Sequence, residues 1–133
     1  MLILTDHDVI GAVRTFRRLF ESPQWAELAA ILDLQFIEFE DVDLPINAPD
    51  STVWQRSQEI GALLITGNRS SGQNSLDQTI REQATSESLP VLTIGDPQRV
   101  IRDRAYTRAC ATSLLNFVNR IETLRGTGRL FLP

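Results

Sequence analysis

The chain has 133 residues, a formal net charge of −4 and 42% hydrophobic residues, which together predict one globular domain spanning residues 1–133. The acidic balance argues against duplex binding driven by overall charge, because neutralising phosphates requires clustered basic residues. All 13 basic residues are arginine, which excludes a catalytic lysine and a phosphate-binding P-loop, and the single cysteine, Cys110, excludes an intramolecular disulfide.

The first half of the chain alternates short apolar runs with helical patterns. Residues 2–5 form an apolar run that ends at Asp6, and the apolar residues between 9 and 20 recur at helical spacing. Ser22-Pro23 predicts the start of a second helix, with Ser22 as its N-cap and Pro23 in its first turn. Residues 34–39 predict a second strand, which runs into an acidic, proline-containing loop over 40–49.

The second half repeats the same alternation. Asp50 predicts the cap of a short helix that Gly61 closes, and residues 62–66 and 89–94 predict two more buried strands. Asn74 or Ser75 caps the helix between those strands. Asp96-Pro97 predicts the start of one long helix that runs to Gly126, with Cys110 buried in its apolar face. Residues 129–132 are either a last edge strand or a docking tail.

This order of elements predicts an α/β fold, a three-layer α/β/α sandwich with a mainly parallel sheet. Polar residues that follow the strands of such a sheet gather at one edge, where open α/β folds place their binding sites. The candidates are Asp6, Asp8, Asp50, Asn68 with Arg69 and Ser70, and Asp96. Carboxylates at such an edge would bind Mg²⁺ or Mn²⁺. The alternative is structural, because each aspartate also stands where a helix N-cap is expected.

Three motifs resemble the PIN-like domains related to bacterial toxin nucleases. They are Thr5-Asp6-His7-Asp8, then Pro49-Asp50-Ser51-Thr52-Val53-Trp54, then Leu64-Ile65-Thr66-Gly67-Asn68-Arg69-Ser70. In that family a strand-terminal Asp, a second acid opening a mid-chain helix and a Thr-x-Asp-x-Asp signature hold the metal of a ribonuclease. The resemblance implies a PIN-like fold and a toxin–antitoxin-related, metal-dependent ribonuclease.

Carried over by position, the resemblance makes Asp6, Asp50 and Asn68 the metal-binding and catalytic positions, with Mg or Mn as cofactor. Arg69 and Ser70 become the substrate-binding residues. Asn68 and Ser70 stand where the family has acids, so two carboxylates are lost and weak metal affinity is expected. Asp77 is a candidate replacement, although a first-turn helix acid is its simpler interpretation. The resemblance therefore implies an activity that is weakened or lost.

A non-catalytic PIN-like interaction module is the main alternative. Trp54, the segment 130–132 and the arginines of the last helix, from Arg99 to Arg108, would supply its contact surfaces. A small-anion or nucleotide-binding regulator, resting on the loop 67–72, is a third class. RNA, a protein partner or a second copy of the chain are the partners considered. No apolar run approaches the ~18 residues of a membrane helix, so we expect a cytoplasmic protein without a membrane partner.

Overall fold

The apolar runs form one sheet of five parallel strands in a computed structural model that describes residues 1–133. The strand order is β2-β1-β3-β4-β5. The strands are β1 (Leu2–Thr5), β2 (Gln35–Ile37), β3 (Ala62–Thr66), β4 (Val91–Ile94) and β5 (Arg129–Leu132). The helices are α1 (Ile10–Glu21), α2 (Pro23–Ile31), α3 (Asp50–Glu59), α4 (Leu76–Gln83), α5 (Pro97–Arg102), α6 (Arg104–Asn119) and α7 (Ile121–Leu124).

Helices cover both faces of the sheet, which confirms the predicted three-layer α/β/α sandwich. Successive side chains of a strand point to opposite faces, so β1 sends Ile3 into one hydrophobic cluster and Leu4 into the other. The Ile3 cluster includes residues of α1, α5 and α6, whereas the Leu4 cluster includes residues of α3 and α4. Because both faces are buried, the strands are apolar throughout and show no polar alternation.

The long helix predicted after Asp96-Pro97 is instead three helices, α5, α6 and α7. Asp103 interrupts it with an extended backbone (φ −125°, ψ 107°), and its carboxylate accepts hydrogen bonds from the backbone N–H groups of Ala105 and Tyr106. An aspartate that caps a new helix competes with continuation of the old one. The strands β2 and β4 are also shorter than the predicted segments 34–39 and 89–94.

The predicted caps have mixed outcomes. Asp96 and Ser75 cap α5 and α4 by accepting backbone N–H bonds, as expected. Ser22 precedes α2 but does not cap it, because its hydroxyl donates to the Leu19 carbonyl of α1 at 2.6 Å. Asp50 is not a cap either: Pro49 holds that position and Asp50 is the first residue of α3. The Asp50 carboxylate is therefore not used for capping.

Two side chains expected on an interaction surface lie in the core. Trp54 is 5% exposed and Leu132 is fully buried, so β5 is a strand of the sheet and not a docking tail. Cys110 is also fully buried, as predicted. Its burial raises the pKa of the thiol to about 11. None of the seven helices combines the length and the hydropathy that crossing a bilayer requires.

Candidate functional site

The strand order creates a crevice at the carboxyl ends of β1 and β3. The chain leaves β1 to form β2 on one side and returns to form β3 on the other side. Such a switch point is where open α/β sheets bind ligands. Asp6 directly follows β1, and its backbone N–H donates to the Ile65 carbonyl of β3 at 2.9 Å. The Asp6 carboxylate is thereby fixed at this crevice.

A cleft of about 440 Å³ opens there, and we call it the acidic cleft. Asp6, Asp50 and Asn68, which are far apart in the sequence, all line it. The remaining lining residues are His7, Asp8, Phe39, Ile46, Ala48 and Val53. Three carboxylates and four hydrophobic side chains therefore share one cleft.

Asp6 is held by two hydrogen bonds. The Thr66 hydroxyl donates to its Oδ2 at 2.7 Å, and the His7 backbone N–H donates to its Oδ1 at 2.8 Å. Burial raises the pKa of Asp6, and the negative charge of Asp50 raises it further, while the two hydrogen bonds oppose that rise. Asp6 and Asp50 line the same cleft, so their negative charges oppose each other there.

Asp8 extends the acidic group on the same side. Partial burial raises the pKa of its carboxyl, and the charge of Asp6 raises it further. Its Oδ1 accepts a weak hydrogen bond from the Gly67 backbone N–H at 3.4 Å. Two neighbouring acids with raised pKa values in one cleft form the kind of electrostatic setting found at functional sites.

The amide of Asn68 has a defined orientation. The Ser70 backbone N–H and hydroxyl donate to its Oδ1 at 2.8 and 2.6 Å, and its Nδ2 donates to Asp50 Oδ2 at 3.0 Å. A backbone N–H can only donate, so the atom that faces it must be the oxygen. Asn68 therefore presents a hydrogen-bond donor to Asp50, where the PIN-like signature would present a second carboxylate.

The two residues after Asn68 differ in their surroundings. Ser70 is exposed, and its contacts orient the Asn68 amide. Arg69 is exposed, and no hydrogen bond or ion pair within the protein holds its guanidinium. Its side chain is therefore available to solvent beside the cleft.

Arg129 is a supporting residue that the sequence analysis missed. Its side chain is 12% exposed, and its Nη1 donates to the backbone carbonyl of Asn68 at 2.8 Å and to the Thr93 hydroxyl at 2.6 Å. Its Nη2 pairs with Asp77 at 2.6 Å. The first residue of β5 thus fixes the loop that carries Asn68. This ion pair engages the Asp77 carboxylate. Asp77 lies in the first turn of α4 and does not line the acidic cleft.

Neither Arg129 nor Thr66 carries a signal that reveals its role. Thr66 is simply the last residue of an apolar run, and Arg129 is a charged residue at the start of another. The turn before Arg129, in which Gly126 and Gly128 have positive φ angles, predicted only that a helix ends there. The Thr66–Asp6 contact joins the neighbouring strands β3 and β1, whereas the Arg129–Asn68 contact reaches past β4, and each spans 60 or more positions of the chain.

The donor set fits a hydrated hard cation in part. Mg²⁺ usually keeps several waters and binds through one or two carboxylates, and Asp6 and Asp50 can supply these. No group of three or more His, Cys, Asp or Glu side chains is arranged to hold a metal ion. For the Asn68 oxygen to become a ligand of the cation, the side-chain amide would have to flip and lose its two hydrogen bonds from Ser70. The cleft can therefore offer the carboxylates of Asp6 and Asp50 but no complete protein coordination sphere.

Comparison of the chain with protein-family models, with curated proteins and with solved structures finds no significant match.

Proposed function

We propose that the chain is a PIN-like domain related to metal-dependent ribonucleases, with a reduced metal site and weakened activity. Asp6 and Asp50 would hold Mg²⁺ or Mn²⁺, and Asn68 would occupy the altered third position. The observation that carries this proposal is the meeting of Asp6, Asp50 and Asn68 in one cleft at the carboxyl edge of a parallel sheet. The three residues match the family's acidic positions in the same order.

In this proposal each side chain has a separate task. Thr66 and the His7 N–H keep the Asp6 carboxylate pointing into the cleft. When bound, the cation would polarise a phosphodiester and lower the pKa of a coordinated water. Arg69, exposed beside the cleft, would contact an RNA phosphate through its guanidinium. Ser70 would act mainly by orienting Asn68.

A non-catalytic module is the second candidate, and the Asn68–Asp50 hydrogen bond favours it. The amide satisfies Asp50 with a donor at 3.0 Å, which lowers the need for a cation there. A cleft that satisfies its carboxylates through internal hydrogen bonds can keep the fold while losing the chemistry. This candidate differs from the first in one measurable property, which is the affinity for a divalent cation.

The test is a titration with Mn²⁺ and, separately, Mg²⁺, followed by thermal unfolding and by cleavage of a single-stranded RNA of mixed sequence. Asp6→Asn removes one cleft carboxylate. Asp33→Asn is the matched control, because Asp33 lies before β2, at the opposite edge of the sheet, and has a positive φ (49°) that asparagine tolerates.

We expect millimolar Mn²⁺ to raise the melting temperature of the wild type and of Asp33→Asn but not of Asp6→Asn, since binding to the folded state stabilises it. Cleavage should follow the same pattern. Metal-dependent stabilisation without cleavage would support a site that has lost its activity. If neither metal changes the wild-type melting temperature, the metal site is disproved and the non-catalytic module is supported.

A further inference from the structure

Two adjoining clefts lie on the side of the sheet covered by α1, α5 and α6. Their volumes are about 440 and 630 Å³, and they share Thr15, Arg18 and Ile101 as lining residues. Together they form one depression that we call the arginine groove. Its arginines are Arg14, Arg17, Arg18, Arg102, Arg104 and Arg108.

The arginines of the groove have no acidic partners. All six are exposed, and none belongs to an ion pair. The four ion-paired arginines of the chain all lie outside the groove. Glu21 is the only acid among the lining residues. A chain with a net charge of −4 therefore carries a locally positive surface, which composition alone conceals.

The lining is too polar for the centre of a protein–protein interface. One of the seven residues of the first cleft and three of the eleven of the second are hydrophobic. Protein interfaces have an apolar core that is depleted of charge, whereas nucleic-acid interfaces are more polar and much more positive. Guanidinium groups match phosphate oxygens with two parallel hydrogen bonds. Six such groups lining two adjoining clefts suit a chain of phosphates better than one small anion.

The groove also begins close to the acidic cleft. Gly11, which lines its first part, lies in the first turn of α1, about one helical turn after Asp8. A flexible polyanion lying in the groove could therefore extend toward Asp6 without crossing the opposite helical layer. The acidic cleft itself repels phosphates when no cation is bound, so any attraction must come from the groove.

We propose that the arginine groove binds the phosphate backbone of single-stranded RNA, without a metal and without reading the base sequence. The choice of RNA rests on the proposed function, but the binding does not require an active cleft. The groove lacks aromatic lining residues on which bases could stack, so affinity comes from phosphate contacts and depends strongly on salt.

The test measures fluorescence anisotropy of a labelled single-stranded RNA of about 16 nucleotides, at several salt concentrations and with EDTA present. The groove variant is Arg104→Gln with Arg108→Gln. The matched control is Arg81→Gln with Arg120→Gln, which removes the same charge from two exposed arginines that also lie outside any ion pair.

We expect the groove variant to bind RNA at least about tenfold more weakly, with a salt slope smaller by about 1.4, because two phosphate contacts are lost. The control variant should lose less than about twofold, since distant surface charges are screened. Both variants should unfold at the wild-type temperature, which separates lost binding from lost structure.

Equal losses in the two variants, or no RNA binding by the wild type at low salt, would overturn the proposal. Binding of poly-glutamate as tightly as RNA of equal charge would also overturn it, because the groove would then attract polyanions without selecting phosphate. Asp6→Asn should bind RNA in EDTA at least as well as the wild type. Groove binding by a wild type that neither Mn²⁺ nor Mg²⁺ stabilises would thus refute the proposed function alone, and metal-dependent cleavage without groove binding would refute this inference alone.

Discussion

The acidic cleft and the arginine groove differ in how their charged groups are attached to the fold. In the cleft, Asp6 and Asn68 are joined by hydrogen bonds to Thr66, Asp50 and Ser70. In the groove, the arginines project from helix surfaces without acidic partners. Substituting a charged or polar side chain that is held by hydrogen bonds within the fold should change stability. Substituting an exposed arginine without an acidic partner should change only binding.

The largest effect on stability is expected for Arg129→Met, which would remove the contacts that hold the Asn68 loop beside the cleft. The change removes a nearly buried guanidinium from Asp77, Thr93 and the Asn68 carbonyl. We expect the free energy of unfolding to fall by about 2–3 kcal/mol, because the partners lose charge-assisted hydrogen bonds. Urea denaturation would measure the loss.

Arg125→Met is the control for that prediction. Arg125 pairs with Glu122, whose side chain is 74% exposed, so its loss should cost much less stability than the loss of Arg129. Equal losses from the two substitutions would show that Arg129 gives no special support to the loop.

Asn68→Asp would sharpen the comparison by adding a fourth acid to the cleft, beside Asp6, Asp8 and Asp50. Without metal, two carboxylates would replace the 3.0 Å hydrogen bond between Asn68 and Asp50, and we expect a loss of about 1–2 kcal/mol. With Mn²⁺, the added charge should tighten binding by about tenfold or more, as ligand charge does in other cation sites. Calorimetric titration and thermal unfolding would measure both effects.

Asn74→Asp makes the same chemical change at an exposed position outside the cleft, where φ is 61°. It should alter neither stability without metal nor Mn²⁺ affinity. An unchanged affinity in Asn68→Asp would contradict the assignment of the cleft as a cation site.

The smallest expected effect is a dependence of stability on pH. The pKa values of Asp6 and Asp8 are raised in the folded protein, so their folded forms bind protons more readily than their unfolded forms. This proton binding stabilises the folded state, and the stabilisation grows as the pH falls from the raised pKa values to 3.8, the ordinary value of an aspartate. It is lost as the pH rises through the raised pKa values.

Urea denaturation without metal, from about pH 7 to about pH 5, would measure this contribution. We expect a smaller gain on acidification in Asp6→Asn, which lacks one titrating group and relieves Asp8 of a neighbouring charge. Identical gains in the two proteins would show that Asp6 does not titrate as proposed.

The sequence predicted the sheet well because fully buried parallel strands are apolar throughout and are separated by helical patterns. It also predicted that polar residues after β1 and β3 share an edge, since that follows from parallel strands alone. It did not predict that Asp103 would divide the last helix, because an aspartate within an apolar pattern reveals its capping role only when the chain turns. The partners of Asp50 and Arg129 depend on which strands become neighbours, and local patterns do not specify this.

Cys110 gives the protein an internal reporter. It is the chain's single thiol, lies fully inside the layer formed by α6, and has its pKa raised to about 11. Alkylating reagents attack the thiolate, so at neutral pH the rate of labelling should follow the rare openings that separate α6 from the sheet. A protein with no engineered probe can therefore report its own local unfolding.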